Sequence, residues 1–151
     1  MKLKLIAVVC AFPLIAADPS GFAYWSSSDL KGMSEKLAAK GGKFASQQLE
    51  KFGNHYTMLA HREANGEAEL HETEADLFVV ESGNATLIVG GKMAGGKTTA
   101  ANEVRGPSIE GGMKNPLGPG DIVHIPAKTP HQLLLDGSRE FTYFVMKVNA
   151  Q

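Results

Sequence analysis

The sequence predicts an all-β protein, an antiparallel jelly roll or small barrel preceded by one short helix. Glycine accounts for 17 of the 151 residues and proline for 7, so turn-forming residues recur too often for a helical bundle. Short apolar runs, about eight in number, lie between these turn residues and have the length of strands. One helical pattern precedes them. Together these observations favour a compact β-barrel.

The composition limits the classes of function. Hydrophobic residues make up 43% of the chain and charged residues 21%, which suits a folded chain with one core. The formal net charge of -1 provides no electrostatic footprint for nucleic acid. The single cysteine, Cys10, excludes an internal disulfide framework and a paired-cysteine zinc site. We therefore expect no nucleic-acid partner and no disulfide scaffold.

The N-terminus has the pattern of a secretory signal peptide. A basic start, Met1–Lys4, is followed by an apolar run from Leu5 to Ala17 that is too short to span a bilayer comfortably. We predict that residues 1–17 are a signal peptide, with cleavage after Ala17 or as late as Ala23. The alternatives are a buried N-terminal strand or a retained anchor. Cleavage implies a periplasmic or secreted protein with no transmembrane segment after signal removal.

Residues 24–53 are predicted to form an N-terminal helical arm, and residues 54–151 the barrel. Ser28 is the expected N-cap, and Gly41-Gly42 ends the helix. Apolar residues recur at helical spacing between these two points, at Leu30, Met33 and Leu37.

Strand patterns fill most of the remaining chain. Asn65-Gly66 predicts a hairpin that joins Tyr56–Glu63 to Glu67–Glu72. Further apolar runs predict strands at 77–80, 86–89, 122–125, 132–135 and 141–148.

The segment 90–120 differs from its surroundings because it contains nine glycines and three prolines. We expect a long irregular excursion at the barrel mouth, with Arg105–Pro107 and Gly111-Gly112 lining or covering the pocket entrance as a lid.

Two segments carry spaced glycine, histidine and acidic residues. The first runs from Gly66 through Glu69, His71 and Asp76 to Gly83, and the second has Gly120, Pro126 and His131. This pair of segments resembles the two motifs of the cupin superfamily of small β-barrels, over roughly residues 54–148. In pattern form the motifs read G-x5-H-x-H-x(3,4)-E-x6-G and G-x5-P-x-G-x2-H-x3-N.

The resemblance implies a cupin β-barrel and a metal site. It places His71 and His131 at histidine ligand positions and Asp76 at the acidic ligand position. Glu69 stands where the first motif has its first histidine. In the second motif, Lys128 stands where glycine is usual and Leu135 where asparagine is usual.

The residues themselves allow the same site. Glu69 and His71 are two apart on a strand and therefore share a face, while Asp76 lies on the next strand and His131 opens another. Mixed nitrogen and oxygen ligands favour one divalent transition metal, among Mn, Fe, Ni and Zn. A buried carboxylate pair also needs a cation or a proton.

An alternative explanation needs no metal. Arg62 lies across the predicted hairpin from Glu69 and can neutralise it, or Arg62 and Arg105 can bind an acidic substrate. We expect three other histidines to be bystanders, namely His55, His61 and His124.

We therefore predict an exported metal-binding barrel, acting as a metal-dependent enzyme on a small polar or carboxylate-bearing molecule that resembles a sugar acid or keto acid. The alternative is a non-catalytic module that binds a small molecule in the same pocket. A homodimer is compatible with either function. The fold alone does not choose between them.

Overall fold

A computed structural model describes residues 18–150, so the predicted signal peptide at 1–17 lies outside the described residues. This part of the chain has one helix, α1 at Ser27–Ala38, and thirteen strands. The strands are β1 Phe44–Lys51, β2 His55–Arg62, β3 Ala68–His71, β4 Glu74–Gly83, β5 Ala85–Val89, β6 Lys92–Ala94, β7 Lys97–Ala100, β8 Glu103–Gly106, β9 Ser108–Glu110, β10 Met113–Leu117, β11 Ile122–Ile125, β12 His131–Leu134 and β13 Phe141–Asn149. The helix does not have the length and apolar character needed to cross a bilayer, and residues 18–150 contain no other helix.

The strands form two large antiparallel sheets and one small pair. The first sheet has the order β1-β2-β13-β4-β11 and the second has β10-β5-β12-β3-β8-β7, while β6 pairs with β9. The all-β jelly-roll prediction is confirmed.

The core lies between the two large sheets. Inward residues of β4 and β13 in the first sheet, such as Phe78 and Phe141, belong to one buried cluster with Leu87 and Leu133 of the second. Phe141 is completely buried. Burial of apolar surface between the sheets is the main force that holds the barrel closed.

Helix α1 covers the outer face of the first sheet, next to β2. Its N-cap is Ser26, which forms a reciprocal capping box with Asp29, so the expected N-cap at Ser28 is wrong. Leu37 is the helix residue buried most completely. The predicted helical arm, residues 24–53, also contains strand β1, which pairs with β2. The first sheet therefore begins at Phe44, and only the part of the arm before Phe44 lies outside the sheets.

The predicted Asn65-Gly66 hairpin is wrong. Strands β2 and β3 belong to different sheets, and Asn65-Gly66 carries the chain from one to the other. The turn is held by tertiary contacts, because Leu135 N donates to Asn65 Oδ1 at 2.8 Å and Gly66 N donates to Leu133 O at 2.8 Å.

The predicted irregular excursion at 90–120 instead contains five short strands, β6 to β10. Its glycines lie mainly in the turns, where Gly91 and Gly112 have φ of 75° and 85°. Glycine adopts these angles without steric strain, so the high glycine content shortens the strands but does not abolish them.

Candidate metal centre and binding pocket

A cavity of about 260 Å³ lies inside the barrel and is lined by both large sheets. Its size is close to the lower end of ligand pockets in proteins. Besides apolar side chains, the wall contains charged residues of both signs, at Arg62, Glu69, Glu74, Asp76, Glu103, Arg105 and Lys147.

Strand pairing explains why Glu69, His71 and His131 meet. Strands β3 and β12 pair with His131 opposite Glu69, and residues opposite each other in an antiparallel pair share a face. His71 lies two residues beyond Glu69 and points to the same side. Each of the three side chains offers a ligand atom within 4.8 Å of the other two.

Asp76 approaches from the opposite sheet, near the start of β4. Its Oδ2 atom lies 3.5 Å from His71 Nε2 and 3.4 Å from His131 Nε2. Asp76 is 1% exposed, and its Oδ1 atom lies 2.6 Å from Lys147 Nζ, whereas Oδ2 lacks a hydrogen-bond partner among residues 18–150. A buried carboxylate in this state needs positive charge nearby.

The orientation of His131 adds to the need for positive charge beside Asp76. Its Nδ1 atom lies 3.1 Å from the carbonyl oxygen of Thr129, which can only accept, so Nδ1 carries the proton. In a neutral imidazole, Nε2 then presents its lone pair toward the Asp76 carboxylate. Either a second proton on His131 or a cation between the two atoms removes this repulsion. His131 Nε2 has no hydrogen-bond partner in the described part of the chain.

The second motif holds His131 in place through a tight turn. Lys128 N donates to His71 O at 2.7 Å, which ties the turn before β12 to the end of β3. Lys128 has φ of 64°, which explains why glycine is usual at this motif position.

Glu69 is held by two arginines. Arg62 Nη2 and Arg105 Nη1 each lie 2.9 Å from Glu69 Oε1, while Oε2 lies 3.6 Å from His71 Nε2. Arg62 also donates from Nε to the hydroxyl of Tyr143 at 3.1 Å. One carboxylate oxygen therefore binds the arginines and the other faces the histidines, so an arginine pair and metal ligation by Glu69 are compatible.

The electrostatics of the site favour ionised carboxyl groups. Burial raises the pKa of Asp76, but contact with His131 and the positive charge of Lys147 outweigh burial and hold the pKa below its ordinary value. Burial likewise raises the pKa of Glu69, but His71 and the two arginines lower it far below its usual range. Both carboxyl groups are therefore ready to act as ligands.

The donor set fits a metal ion. Two ligand atoms on one tetrahedral ion at 2.1 Å lie about 3.4 Å apart. The distances of 3.5 and 3.4 Å from Asp76 Oδ2 to the two Nε2 atoms match this spacing, and the 3.6 Å between Glu69 Oε2 and His71 Nε2 is close to it. Two imidazole nitrogens with carboxylate oxygens suit Mn, Fe, Ni or Zn.

Lys147 is the site residue that the sequence analysis missed. Its Nζ atom lies 2.6 Å from Asp76 Oδ1 and 2.6 Å from His71 Nε2. The sequence did contain a signal, because Lys147 alternates along β13 with Tyr143 and Val145, which point into the core.

Other predicted features lie away from the site. His124 is exposed on β11, as expected of a bystander. His61 is buried on the outer face of the first sheet, where Nδ1 lies 2.8 Å from Thr142 Oγ1. Of the predicted lid, Arg105 lines the cavity, whereas Gly106-Pro107 and Gly111-Gly112 do not.

Comparisons with known proteins define the fold. No family model and no curated protein matches the chain. Among solved structures, an uncharacterised conserved protein with a double-stranded β-helix domain from Klebsiella pneumoniae is 15% identical, with a TM-score of 0.58 over 85% of this chain and 90% of that one. The cupin domain of Cnp3 from Schizosaccharomyces pombe is 8% identical, with a TM-score of 0.54 over 72% of this chain and 66% of that one.

An enzyme has a similar structure. The DMSP lyase DddQ from Ruegeria pomeroyi is 20% identical, with a TM-score of 0.51 over 71% of this chain and 47% of that one. The present chain thus spans about half of that lyase's length. At these identities the likenesses establish the fold alone. The barrel has the cupin fold, which includes enzymes among its known structures.

Proposed function

We propose that this barrel binds one divalent transition metal through Glu69, His71 and His131, with Asp76 as a further ligand. The observation that carries the proposal is the convergence of these side chains from two facing sheets. In addition, His131 Nε2 and Asp76 Oδ2 are buried without hydrogen-bond partners among residues 18–150. A metal ion supplies the positive charge and the bonds that these atoms lack.

The charges of the wall favour an anionic ligand. The cavity is lined by three basic and four acidic side chains, with a formal sum of -1 when the histidines are neutral. A divalent ion changes this sum to +1, which a monocarboxylate balances. We therefore propose a small carboxylate-bearing molecule, of the size and polarity of a sugar acid or keto acid, as the ligand.

Catalysis is the first candidate function. A metal ion that accepts a further ligand beyond these four side chains would supply Lewis acidity toward a carbonyl or carboxylate oxygen. Arg62 and Arg105 lie on the pocket wall, where they can orient the anionic end of the ligand. The existence of a lyase with a similar fold supports an enzymatic role.

The second candidate is a binding module without turnover. It is favoured by the ion pairs of Arg62, Arg105 and Lys147, which already compensate the buried carboxylates. A screen of sugar acids and keto acids separates the two candidates, because an enzyme yields product and a binding module only a thermal shift.

The metal proposal is tested by elemental analysis and metal titration of the purified protein. We expect one equivalent of metal, and His131→Ala should weaken metal binding by more than about 100-fold, since it removes a direct ligand. His124→Ala is the matched control, because His124 is exposed, and its affinity should equal that of the wild type. Undiminished metal binding by His131→Ala would contradict the proposed site.

We also propose export, on the basis of the basic and apolar N-terminal pattern of residues 1–17. Mass spectrometry of the protein from its native source should show a mass lower by about two kilodaltons. A full-length mass would contradict cleavage.

A further inference from the structure

Lys147 lies where a metal ion would bind. Strands β4 and β13 pair with Lys147 opposite Asp76, so the two side chains leave the sheet on the same face. The Lys147 side chain is 10% exposed, and its Nζ atom is 2.6 Å from both Asp76 Oδ1 and His71 Nε2. The ammonium therefore contacts two of the proposed metal ligands directly.

The contact with His71 uses the electron pair that a metal needs. An ammonium group has three donor hydrogens and no acceptor, so Nζ donates and His71 Nε2 accepts. A neutral imidazole nitrogen has a single lone pair in the ring plane. That lone pair can bind either the ammonium or a metal ion, but not both at once.

We propose that Lys147 is a built-in competitor cation that must leave His71 before the metal can bind. This inference rests on the metal site proposed above. Without metal, the ammonium neutralises Asp76 and keeps the buried site stable. With metal, the ammonium of Lys147 moves away, because two cations beside the Asp76 carboxylate repel each other.

The structure offers the displaced ammonium a new partner. Glu74 lies two residues before Asp76 on β4 and also lines the cavity, so it is the diagonal neighbour of Lys147. A long lysine side chain can reach a diagonal cross-strand neighbour. The lysine can therefore move along the cavity wall from Asp76 to Glu74 and remain paired.

The first test compares the Zn²⁺ affinity of the wild type and Lys147→Met by calorimetric titration of chelator-treated protein. We expect the variant to bind Zn²⁺ at least tenfold more tightly, because it no longer has to displace the ammonium. Lys92→Met is the matched control, since Lys92 is exposed on β6. Equal affinity of wild type and Lys147→Met overturns the inference but leaves the metal site standing, whereas no binding by either protein overturns both.

A second test uses the wild type alone and therefore does not depend on the folding of a variant. The protein is labelled with an amine-reactive reagent with and without saturating Zn²⁺, and modified peptides are quantified by mass spectrometry. We expect the labelling of Lys147 to rise severalfold with Zn²⁺, because Glu74 is less buried than Asp76, and that of Lys92 to stay constant. Unchanged labelling of Lys147 would show that the ammonium stays in place and would overturn the inference.

Discussion

Replacement of Asp76 by asparagine isolates the central ion pair of the cavity. Asp76 is 1% exposed and Lys147 8%, so both charges are buried. Asparagine keeps the shape of the side chain but leaves the ammonium of Lys147 without a full counter-charge. Breaking a buried ion pair by removing one partner costs about 3–5 kcal/mol. Because the amide oxygen still accepts a hydrogen bond, we expect the lower end of this range, about 3 kcal/mol.

The assay is urea unfolding in the presence of a chelator, followed by the fluorescence of the single tryptophan. Trp25 reports on the barrel because its ring centroid lies 6.0 Å from that of Phe144 on β13. Asp136→Asn is the matched control, since Asp136 is exposed, and it should change stability by less than about 0.5 kcal/mol. The double variant Asp76→Asn/Lys147→Met should lose less unfolding free energy than the two single variants lose together. We expect this difference to be at least about 2 kcal/mol.

The same variant tests the pH dependence. The pKa of Asp76 is lowered in the folded protein, so its contribution to stability is complete above the unfolded-state pKa of about 4. This contribution is lost as the pH falls through the lower folded-state pKa. The difference in the free energy of unfolding between the wild type and Asp76→Asn should therefore decrease below about pH 4. A destabilisation by Asp76→Asn below about 1 kcal/mol at neutral pH, or additive effects in the double variant, would refute the ion-pair account.

Three further predictions concern the turns and one tyrosine. Gly83→Ala should lower the free energy of unfolding by about 3 kcal/mol or more, because Gly83 has φ of 79° and an added Cβ would lie 2.1 Å from Glu140 O. A variant as stable as the wild type would contradict this prediction. Lys128 has φ of 64°, so Lys128→Val should lower the free energy of unfolding by about 1–2 kcal/mol, whereas Lys128→Gly should not. Equal stability of the two variants would contradict this prediction. Burial and the negative charge of Glu74 raise the pKa of Tyr56 to about 12. Glu74→Gln should therefore lower the pH midpoint of the Tyr56 titration, followed by NMR of ¹³C-labelled tyrosine. An unchanged titration midpoint would exclude an influence of Glu74 on this pKa.

Local patterns predicted the strands better than they predicted the strands' partners. The alternation around Leu133 and the start of a strand at His131 are evident from the sequence, and both are present in the structure. The local pattern of Asn65-Gly66 is that of a hairpin, which is why the sequence predicts one. In the structure, long-range hydrogen bonds to the segment 133–135 hold this turn between the two sheets. Sequence-local rules do not contain such contacts.

The candidate site shows the same division. Motif spacing selected His71 and His131, and the pairing of β3 with β12 brings them together. The contact between Arg62 and Glu69 was expected across a hairpin, but it occurs across the barrel interior, between residues of two different sheets. Lys147 was missed because its role depends on the register of β13 against β4, which no single segment specifies.

The most direct measurement of the metal site is an anomalous difference map from crystals of the zinc-loaded protein, recorded at the zinc absorption edge. We predict a peak within about 2.3 Å of Nε2 of both His71 and His131 and of a Glu69 carboxylate oxygen. In the same map, Lys147 Nζ should have left His71. The absence of a peak at these atoms, with the ammonium of Lys147 still bound to His71, would contradict the proposed metal centre.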